Sequence, residues 1–502
     1  MDVKAEGFAV GVVGAGAMGQ GIAQVALEGG CKVVLHDAKP GGAEAGRDLI
    51  VGRLDRLVEK GRLEADTVAA MKSSLSIAPA LADLGRCPVV VEAVFEDLEL
   101  KRKIFAELEK HVADDAILAS NTSSLPIAAI ARNCTRPQRV AGMHFFNPVP
   151  LMKLVEIIKG PETADDVAVA LAELGKRMGR TPVTVQDAPG FLVNMGGRAY
   201  TTEGLRLIHE GVATPAQIDA VMKDCCGFRM GPCELMDLTG IDVNYPVSMI
   251  VYEGYLHDPR LKTVPLHKAL YEAGRLGRKT KAGHYRYDDK GNILDAPSPD
   301  HVTQTAPAAT ISLAEPDAAL EKFLGGLGVK IAASDDGSSP ILCAPIGEDA
   351  TSVAVRTGAD HRRLVAIDLS ADISKRITIM TAPGADAAAR DAVAALLAKD
   401  GCKVTAIKDS PGFIAQRLRA MIGNLSCEMA QIGLASPEEI DLAMTLGLNY
   451  PQGPLAMVDA MGTKATLRVL EQLQALTGED RYRPSLWLRR RALLGLSAKT
   501  AG

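Results

Sequence analysis

The chain has 502 residues, of which 47% are hydrophobic and 23% charged, and its formal net charge is −5 at pH 7. This mild acidity argues against a nucleic-acid partner, and no apolar run is long enough to cross a membrane. The length exceeds what one hydrophobic core supports, so we expect about three domains. The N-terminus lacks an apolar signal region, which predicts a cytoplasmic protein. The nine cysteines are scattered without a CxxC pair, so we predict no metal site.

The first predicted elements are a strand, a glycine-rich turn and a helix. An apolar run from Gly7 to Val13 leads into GAGAMG, and an Ala-rich helical pattern continues to about Glu28. In this context the glycines allow a tight turn, close approach of a pyrophosphate and close packing of helix on strand. The turn residues expected to contact a dinucleotide are Gly14, Gly16, Ala17, Met18 and Gly19.

An acidic residue, Asp37, follows the second predicted strand, Lys32–His36. A carboxylate at this place can accept hydrogen bonds from the adenosine ribose of a dinucleotide, and it would repel the additional phosphate of NADP. We therefore predict that the cofactor is NAD.

Polar residues cluster where a later strand is predicted to end. A buried strand, Pro88–Glu92, is followed by a helix, Asp97–His111, and then by a strand, Ala116–Ala119, that leads into the sequence SNTSS at 120–124. The C-terminal ends of parallel strands are where open α/β sheets bind ligands. We therefore expect this segment to line a ligand site. The alternative is that its hydroxyl groups only cap the next helix, Ile127–Ala131.

One histidine lies between an apolar strand-like run and a turn that contains proline. His144 follows the run Arg139–Met143, and Glu156 lies in the next strand-like run, Lys153–Ile158. If the turn folds the second run back, the imidazole and the carboxylate can meet, as a general base and the group that orients it do in enzymes. The alternative is a structural histidine whose hydrogen bonds are satisfied within a core.

The pattern changes to long helices after residue 186. The sequence DAPGF at 187–191 opens an all-helical stretch that extends to about Gly277, which predicts a domain boundary near Asp187. Asn194 lies in the first turns of an otherwise apolar helix, where its amide needs a polar partner. It is a candidate to face the cleft.

The chain then repeats itself, because DAPGF at 187–191 recurs as DSPGF at 409–413, 222 residues later, and further Pro, Gly and Asp residues match at the same shift. The polar candidates are not kept: Glu156 is matched by Thr378, Asn194 by Gln416, and His144 by no histidine. If these polar residues served only packing, we would expect both copies to keep them. The loss therefore indicates that the polar cluster of the first copy serves function.

These observations predict an α/β Rossmann-type N-terminal domain, an all-α domain, a small degenerate α/β unit without GxGxxG, and a second, duplicated all-α domain. We expect the two helical copies to bury apolar surface against each other, and we predict that the second copy fills the place of a partner subunit's helical domain. The expected oligomeric state is a monomer or a homodimer. The predicted boundaries are 1–186 for the NAD-binding domain, 187–287 for the first helical copy, 288–316 for a linker, 317–408 for the degenerate unit and 409–502 for the second helical copy.

With these features the chain resembles the 3-hydroxyacyl-CoA dehydrogenase family. The resemblance covers Phe8 to about Tyr287 and the helical domain a second time, and the segments that carry it are GAGAMGQGIA, VVEAVFEDLELK, SNTSSL, GMHFFNPVPLMKLVEII, DAPGFLVN and GRKTKAGHY. It implies oxidation of an (S)-3-hydroxyacyl-CoA with NAD. The long form is similar to bacterial enzymes that oxidise 3-hydroxyadipyl-CoA in phenylacetate breakdown, and to 3-hydroxybutyryl-CoA dehydrogenases of fatty-acid type metabolism.

The resemblance implies a role for each matching residue. His144 would be the general base and Glu156 would orient it and stabilise its imidazolium, while Ser123 and Asn194 would hold the reacting oxygen and the thioester. The residues implied to line the nicotinamide half of the cofactor site are Glu96, Lys101, Asn121, Ser123 and Asn147, with Lys279 reaching back to the cofactor. The implied binding partner is an acyl-CoA substrate.

Two positions depart from the family pattern. Met195 stands where the family commonly has arginine, which the second copy keeps as Arg417, and residues 281–284 replace a more Gly-rich end. Two other functions stay open. One is a β-hydroxyacid dehydrogenase acting on free acids, which would need a catalytic lysine in the helix after Asp187. The other is a non-catalytic member of the family that keeps only the fold.

Overall fold

The computed structural model describes all 502 residues, Met1–Gly502, and the chain divides into two units. The first unit contains Met1–Met195 and Gly433–Leu448, and the second contains Gly196–Ile432 and Asn449–Gly502. A short piece of the second copy therefore belongs to the first unit. None of the helices combines the length and the apolar character that a membrane span requires.

Short runs rich in Val and Ile form the sheet of the first unit, because β-branched side chains pack well in strands that are buried on both faces. Its strands are β1 (Ala9–Val13), β2 (Lys32–His36), β3 (Leu75–Ile77), β4 (Val89–Glu92), β5 (Ile117–Ser120), β6 (Val140–Phe145), β7 (Leu154–Lys159) and β8 (Thr181–Gln186). The order is β3-β2-β1-β4-β5-β6-β7-β8, and all neighbours are parallel except β6 and β7. The sequence pattern did not predict β3, which has only three residues.

Helices connect these strands and complete the core. The first helix begins directly after the glycine-rich turn and buries Ile22 and Val25 in the hydrophobic core that it shares with the sheet. Strand, glycine-rich turn and helix thus form the predicted Rossmann-type start. The helices are α1 (Ala17–Glu28), α2 (Gly42–Glu59), α3 (Ala65–Ser73), α4 (Leu98–Leu108), α5 (Ile127–Ala131), α6 (Asp165–Arg177) and α7 (Val193–Gly196).

The first helical copy follows, and it opens the second unit. Its helices are α8 (Arg198–His209), α9 (Pro215–Cys226), α10 (Pro232–Thr239), α11 (Ile241–Gly254) and α12 (Pro265–Glu272). Proline at the start of α9, α10 and α12 suits the first helical turn, where its missing N–H costs no hydrogen bond. A short antiparallel hairpin, β9 (Arg286–Tyr287) with β10 (Ile293–Leu294), comes next.

The second unit also contains a six-stranded sheet with the order β12-β11-β13-β14-β15-β16. Its elements are β11 (Thr310–Leu313), α13 (Ala318–Gly326), β12 (Lys330–Ile331), β13 (Ile341–Cys343), α14 (Ala350–Thr357), β14 (Leu364–Ile367), β15 (Arg376–Thr381), α15 (Ala387–Leu397) and β16 (Lys403–Lys408). Only β14 and β15 are antiparallel, which repeats the arrangement of β6 and β7. Because β11 lies inside the range predicted as a linker, the structured part of this unit begins before residue 317.

The second helical copy consists of α16 (Ala415–Gln431), α17 (Pro437–Leu448), α18 (Pro454–Met461), α19 (Thr463–Thr477) and α20 (Leu486–Leu494), of which α17 belongs to the first unit. Within the second unit α16 packs against α8 of the first copy, so helices of the two copies do bury surface against each other. The equivalence with a partner subunit stays a prediction. Short 3-10 helices lie at Leu81–Arg86, Pro137–Arg139, Pro259–Leu261, Arg278–Thr280 and Asp480–Tyr482.

The helix that belongs to the second copy but lies in the first unit makes specific contacts there. The backbone N–H of Thr184 donates to Oε1 of Glu439 in α17 at 2.8 Å. The N–H of Gln186, the last residue of β8, donates to the carbonyl of Leu434 at 2.9 Å. The second copy thus completes hydrogen bonds of the first sheet.

In the second unit the matching residues are in contact with the two copies exchanged, although the side chain of Gln217 donates where that of Glu439 accepts. Gln217 of α9 donates to the carbonyl of Ala406 at 2.9 Å, and the N–H of Lys408 donates to the carbonyl of Val212 at 3.1 Å. Each of these four residues lies 222 positions from its counterpart in the other unit. Each copy therefore packs a helix on the sheet that belongs to the other copy.

Candidate active site

The glycine-rich turn leaves its backbone open at one position and crowded at two. A Cβ at Gly19 would lie 1.8 Å from the carbonyl oxygen of Gly14, and Gly14 itself has a φ of +100°. A Cβ at Gly16 would meet nothing within 4 Å, so this peptide is free to face a ligand. Only glycine fits at positions 14 and 19. Gly16 presents open backbone at the start of α1, as a bound pyrophosphate requires.

A cavity of about 550 Å³ extends from this turn to the end of β2 and is lined by Gly14, Gly16, Met18, Asp37 and Val94 among others. The carboxylate of Asp37 accepts hydrogen bonds from the N–H groups of Ala15 at 2.7 Å and Lys39 at 2.8 Å, which fixes it beside the turn. An acidic group held there fits the ribose of NAD.

His144 and Glu156 lie opposite each other on the antiparallel strands β6 and β7, so the intervening turn does fold the second run back. Nδ1 of His144 lies 2.7 Å from Oε2 of Glu156. An ionised carboxylate only accepts hydrogen bonds, so Nδ1 carries a hydrogen. Nε2 therefore has the lone pair that can accept a proton.

The carboxylate of Glu156 is buried and held from both sides. Its Oε1 accepts hydrogen bonds from the N–H groups of Leu192 at 3.1 Å and Val193 at 2.9 Å. These two N–H groups follow Phe191, whose φ of 48° is unusual for a bulky residue and turns the chain toward the carboxylate. With one oxygen bound to backbone and the other to imidazole, Glu156 fixes the orientation of His144.

Ser123 and Asn194 lie next to each other. The side-chain N–H of Asn194 donates to the carbonyl of Ser123 at 3.3 Å. Ser123 is an exposed residue, and its hydroxyl donates to Oε1 of Glu96 at 3.3 Å. Asn121, in the same loop as Ser123, accepts with Oδ1 a hydrogen bond from the N–H of Phe145 at 2.9 Å. This bond attaches the loop to the residue that follows His144, so three polar segments predicted from the sequence meet in the first unit.

Glu96 organises the loop that contains Ser123. Its Oε1 accepts from the hydroxyl of Thr122 at 2.6 Å and from the N–H groups of Ser123 at 2.9 Å and Ser124 at 3.1 Å. The ammonium of Lys101 lies 3.4 Å from its other oxygen. Burial acts to raise the pKa of Glu96, but these hydrogen bonds and the Lys101 charge together hold the pKa below its usual value.

Sequence reasoning missed one charged residue of this site, Glu92. Its carboxylate is fully buried at the end of β4, 2.7 Å from Nζ of Lys101. The available signal was a single acidic residue at the end of an otherwise apolar strand, VVVE. Such a charge is expensive to bury without a partner, which points to a specific role.

Two predicted cofactor residues lie apart from these hydrogen bonds. Asn147 is exposed in the turn after β6. Lys279 belongs to the second unit, where its ammonium lies 2.7 Å from a carboxylate oxygen of Asp242. The roles implied for both residues stay predictions.

Models of protein families match most of the chain, apart from residues 1–8, Pro189 and residues 288–341. The model for the 3-hydroxyacyl-CoA dehydrogenase NAD binding domain matches residues 9–188, and the model for the C-terminal domain matches residues 190–287 and again 412–502. A model described as the 3-hydroxybutyryl-CoA dehydrogenase reduced Rossmann-fold domain matches residues 342–411. The second helical match agrees with the duplication seen in the sequence.

Individual relatives match either nearly the full length of this chain or only about half of it. A 3-hydroxyadipyl-CoA dehydrogenase of Escherichia coli (strain K12) is 38% identical over 97% of this chain and 97% of its own length. A crystal structure of a 3-hydroxybutyryl-CoA dehydrogenase from Escherichia coli K12 covers 98% of this chain and 99% of its own, at 36% identity and a TM-score of 0.86. A probable 3-hydroxybutyryl-CoA dehydrogenase of Deinococcus radiodurans is 40% identical but covers 55% of this chain and 99% of itself.

Proposed function

This chain belongs to the 3-hydroxyacyl-CoA dehydrogenase family of NAD-dependent oxidoreductases, and on that premise we propose that it oxidises an (S)-3-hydroxyacyl-CoA reversibly to the 3-ketoacyl-CoA, with His144 as the general base. The observation that carries the proposal is the 2.7 Å contact between His144 and Glu156. It leaves Nε2 of the imidazole as a proton acceptor, and the loop that contains Ser123 is bonded to the next residue, Phe145, through Asn121.

The chemistry needs a base because proton and hydride leave the same substrate group. When bound, NAD accepts the hydride from the carbon that bears the hydroxyl. Nε2 of His144 takes the hydroxyl proton, so the C–O bond becomes a carbonyl without an intermediate alkoxide or protonated ketone. The imidazolium formed in this step is stabilised by the carboxylate of Glu156, and the proton returns by the same path in the reverse reaction.

Ser123 and Asn194 are proposed to hold the substrate in line with the base. Ser123 is exposed, and its hydroxyl, which donates to Oε1 of Glu96 at 3.3 Å, can rotate to donate to the reacting oxygen. The amide of Asn194 lies beside Ser123 and can donate to the thioester carbonyl. Hydrogen-bond donors aimed at an oxygen on which charge develops stabilise the transition state more than the ground state.

For the substrate we propose a short-chain acyl-CoA, with 3-hydroxyadipyl-CoA and 3-hydroxybutyryl-CoA as the two candidates. The support is the likeness to relatives of those two names, of which the 3-hydroxyadipyl-CoA dehydrogenase matches this chain over nearly its full length. The same active-site geometry serves either substrate, since specificity depends on the shape of the acyl pocket.

The test is a parallel spectrophotometric assay of NADH formation with 3-hydroxyadipyl-CoA, 3-hydroxybutyryl-CoA and free 3-hydroxybutyrate. We expect turnover of at least one thioester and none of the free acid. Turnover of the free acid alone would favour a β-hydroxyacid dehydrogenase, and no turnover of any substrate, in either direction and with acetoacetyl-CoA included, would favour a non-catalytic member of the family.

A further inference from the structure

The buried carboxylate of Glu92 has three hydrogen-bond donors. Oε1 accepts from Nζ of Lys101 and from the N–H of Val94, and Oε2 accepts from the hydroxyl of Ser120, each at 2.7 Å. Glu92 is 0% exposed and Lys101 is 1% exposed. The group is thus an ion pair sealed from solvent, directly behind the loop at the end of β5.

This ion pair continues toward the loop that contains Ser123. Lys101 contacts Glu92 at 2.7 Å and Glu96 at 3.4 Å, and Glu96 in turn accepts the N–H of Ser123. The group therefore contains two carboxylates and one ammonium, a net charge of −1. Glu92 binds Lys101 in the interior, and Glu96 binds the backbone of the exposed loop.

The second sheet indicates that these charges are not needed for the architecture. By strand register, β5 pairs Ser120 with Glu92. The matching place on β13 is taken by Cys343, and continuing the pairing of Leu313 with Leu342 by one residue places Ala314 opposite it. An apolar pair thus fills the equivalent position. Replacement of a buried ion pair by apolar residues often costs no stability, so the charges of the first copy need another explanation.

We propose that Glu92 is a positioning residue of the nicotinamide half of the cofactor site, and that the net negative charge it gives to the group favours the oxidised over the reduced coenzyme. The nicotinamide ring carries a positive charge in NAD and none in NADH, so a negative charge behind the site stabilises only the oxidised form. This inference rests on the proposed function and on the placement of Glu96 and Lys101 beside the ring that the family resemblance implies. It is independent of which thioester the enzyme oxidises.

The test measures the dissociation constants of NAD and NADH separately, by fluorescence titration of the full chain. In Glu92→Gln we expect the ratio Kd(NAD)/Kd(NADH) to rise about three- to tenfold, the size that one charge contributes through a partly polar interior. Glu92→Asp keeps the charge and is expected to leave the ratio within about twofold of the wild type. A purely structural role would weaken both coenzymes by the same factor in both variants, and that result would overturn the proposal.

Two further variants keep the test decisive. Glu109→Gln removes a carboxylate that pairs with Arg136 in the same unit, outside the site, and is expected to leave the ratio unchanged. If Glu92→Gln does not fold, Glu96→Gln removes the other carboxylate of the group at a half-exposed position, and an unchanged ratio there would refute the charge effect. Because the readout is coenzyme binding, it stands even if the acyl-CoA proposal fails. A wild-type chain that binds neither coenzyme would refute both proposals.

Discussion

The two α/β regions of this chain share a scaffold but differ in what they hold. In the first, the N–H of Ala128 at the start of α5 donates to Asp187 at 2.9 Å, and in the second, the N–H of Ala350 at the start of α14 donates to Asp409 at 2.7 Å. Phe191 and Phe413, which follow these aspartates, have φ values of 48° and 49°. The same turn thus persists in both copies, although only one presents a histidine and a carboxylate.

In the second region a polar network lies where the first region has His144 and Glu156. Asp368 directly follows β14, and its N–H donates to the carbonyl of Thr378 in β15 at 2.9 Å. It takes the place that His144 has opposite Glu156 on β6 and β7. Its Oδ1 accepts from Nε2 of Gln416 at 3.0 Å, and Oε1 of Gln416 accepts from the N–H of Gly347 at 2.9 Å. These polar groups bind one another, so the comparison separates the turn that both copies keep from the polar pair that only the first copy has.

The sharpest test of this difference is His144→Ala. We expect turnover to fall by a factor of about 10² to 10⁴, the usual contribution of one acid–base group, with NAD affinity retained. Steady-state kinetics and coenzyme titration measure the two quantities. The matched control is His111→Ala, a partly exposed histidine that pairs with Glu107 on the surface of the same unit. Near-normal turnover without His144 would refute its role as the base.

A buried ion pair tests how the two helical copies are joined within the second unit. Arg417 of α16 pairs with Glu203 of α8 and with Glu210, which directly follows α8. The matching positions, 222 residues away in the other copy, hold Met195, Leu425 and Ile432. We expect Arg417→Met to lower the free energy of unfolding by about 3 kcal/mol, because it leaves buried Glu203 with fewer partners. Urea denaturation measures this loss.

Two comparisons sharpen the Arg417 prediction. Arg489→Met removes a half-exposed pair with Glu471 and should cost less than about 1 kcal/mol. Burial raises the pKa of Glu203, but Arg417 and Arg481 outweigh it and hold the pKa below its usual value. The stabilisation by the pair is therefore complete above the unfolded-state pKa and is lost as the pH falls through the folded-state pKa. A gap between variant and wild type that does not shrink in acid would contradict this account.

Glu156→Gln is expected to have a smaller effect than loss of the base. It should lower kcat by about 10- to 100-fold and leave the NAD dissociation constant unchanged, because the imidazolium loses its counter-charge while the cofactor site stays intact. The control is Thr378→Val at the matching position of the second copy, which should leave kcat unchanged. Equal losses of kcat in both variants would mean that the carboxylate acts through folding.

The amide positions of the two copies should separate activity from stability. Gln416→Ala is expected to leave kcat unchanged and to lower the free energy of unfolding by about 1–3 kcal/mol, since it removes one hydrogen bond to buried Asp368 and leaves the N–H of Gly347 without its partner. Asn194→Ala is expected to do the reverse, with a kcat loss of about tenfold or more and a smaller change in stability. Thermal denaturation and steady-state kinetics of both variants test these opposite effects on stability and kcat.

Much of the first copy could be predicted from the sequence because its signals are local. The glycine-rich turn between strand and helix, and Asp37 at the end of β2, follow from spacing alone. The meeting of His144 and Glu156 could be proposed because only one short turn separates their strands. Strand β3 has only three residues, too few to show an alternating hydrophobic pattern. The role of Glu92 could not be predicted because its partners Lys101 and Ser120 lie on other elements.

The second copy was harder to predict for a specific reason. His144 and Glu156 are 12 positions apart, whereas Asp368 and Thr378 are ten apart, so a fixed shift of 222 aligns Thr378 correctly but misses the residue opposite it. A shorter connection between β14 and β15 thus hid Asp368. The exchange of α9 and α17 between the sheets was also invisible, because local patterns do not say which sheet a helix covers.

The exchanged contacts have a consequence for solubility. β8 and β16 are the outermost strands of their sheets, and an uncovered outer strand is a template on which another chain can add. Here the outward-facing N–H groups of Gln186 and Lys408 are already bonded to backbone carbonyls of the opposite repeat. Each repeat thereby covers part of the edge strand of the other and limits aggregation through it. Proteolytic cleavage that separates the two repeats would expose both edge strands.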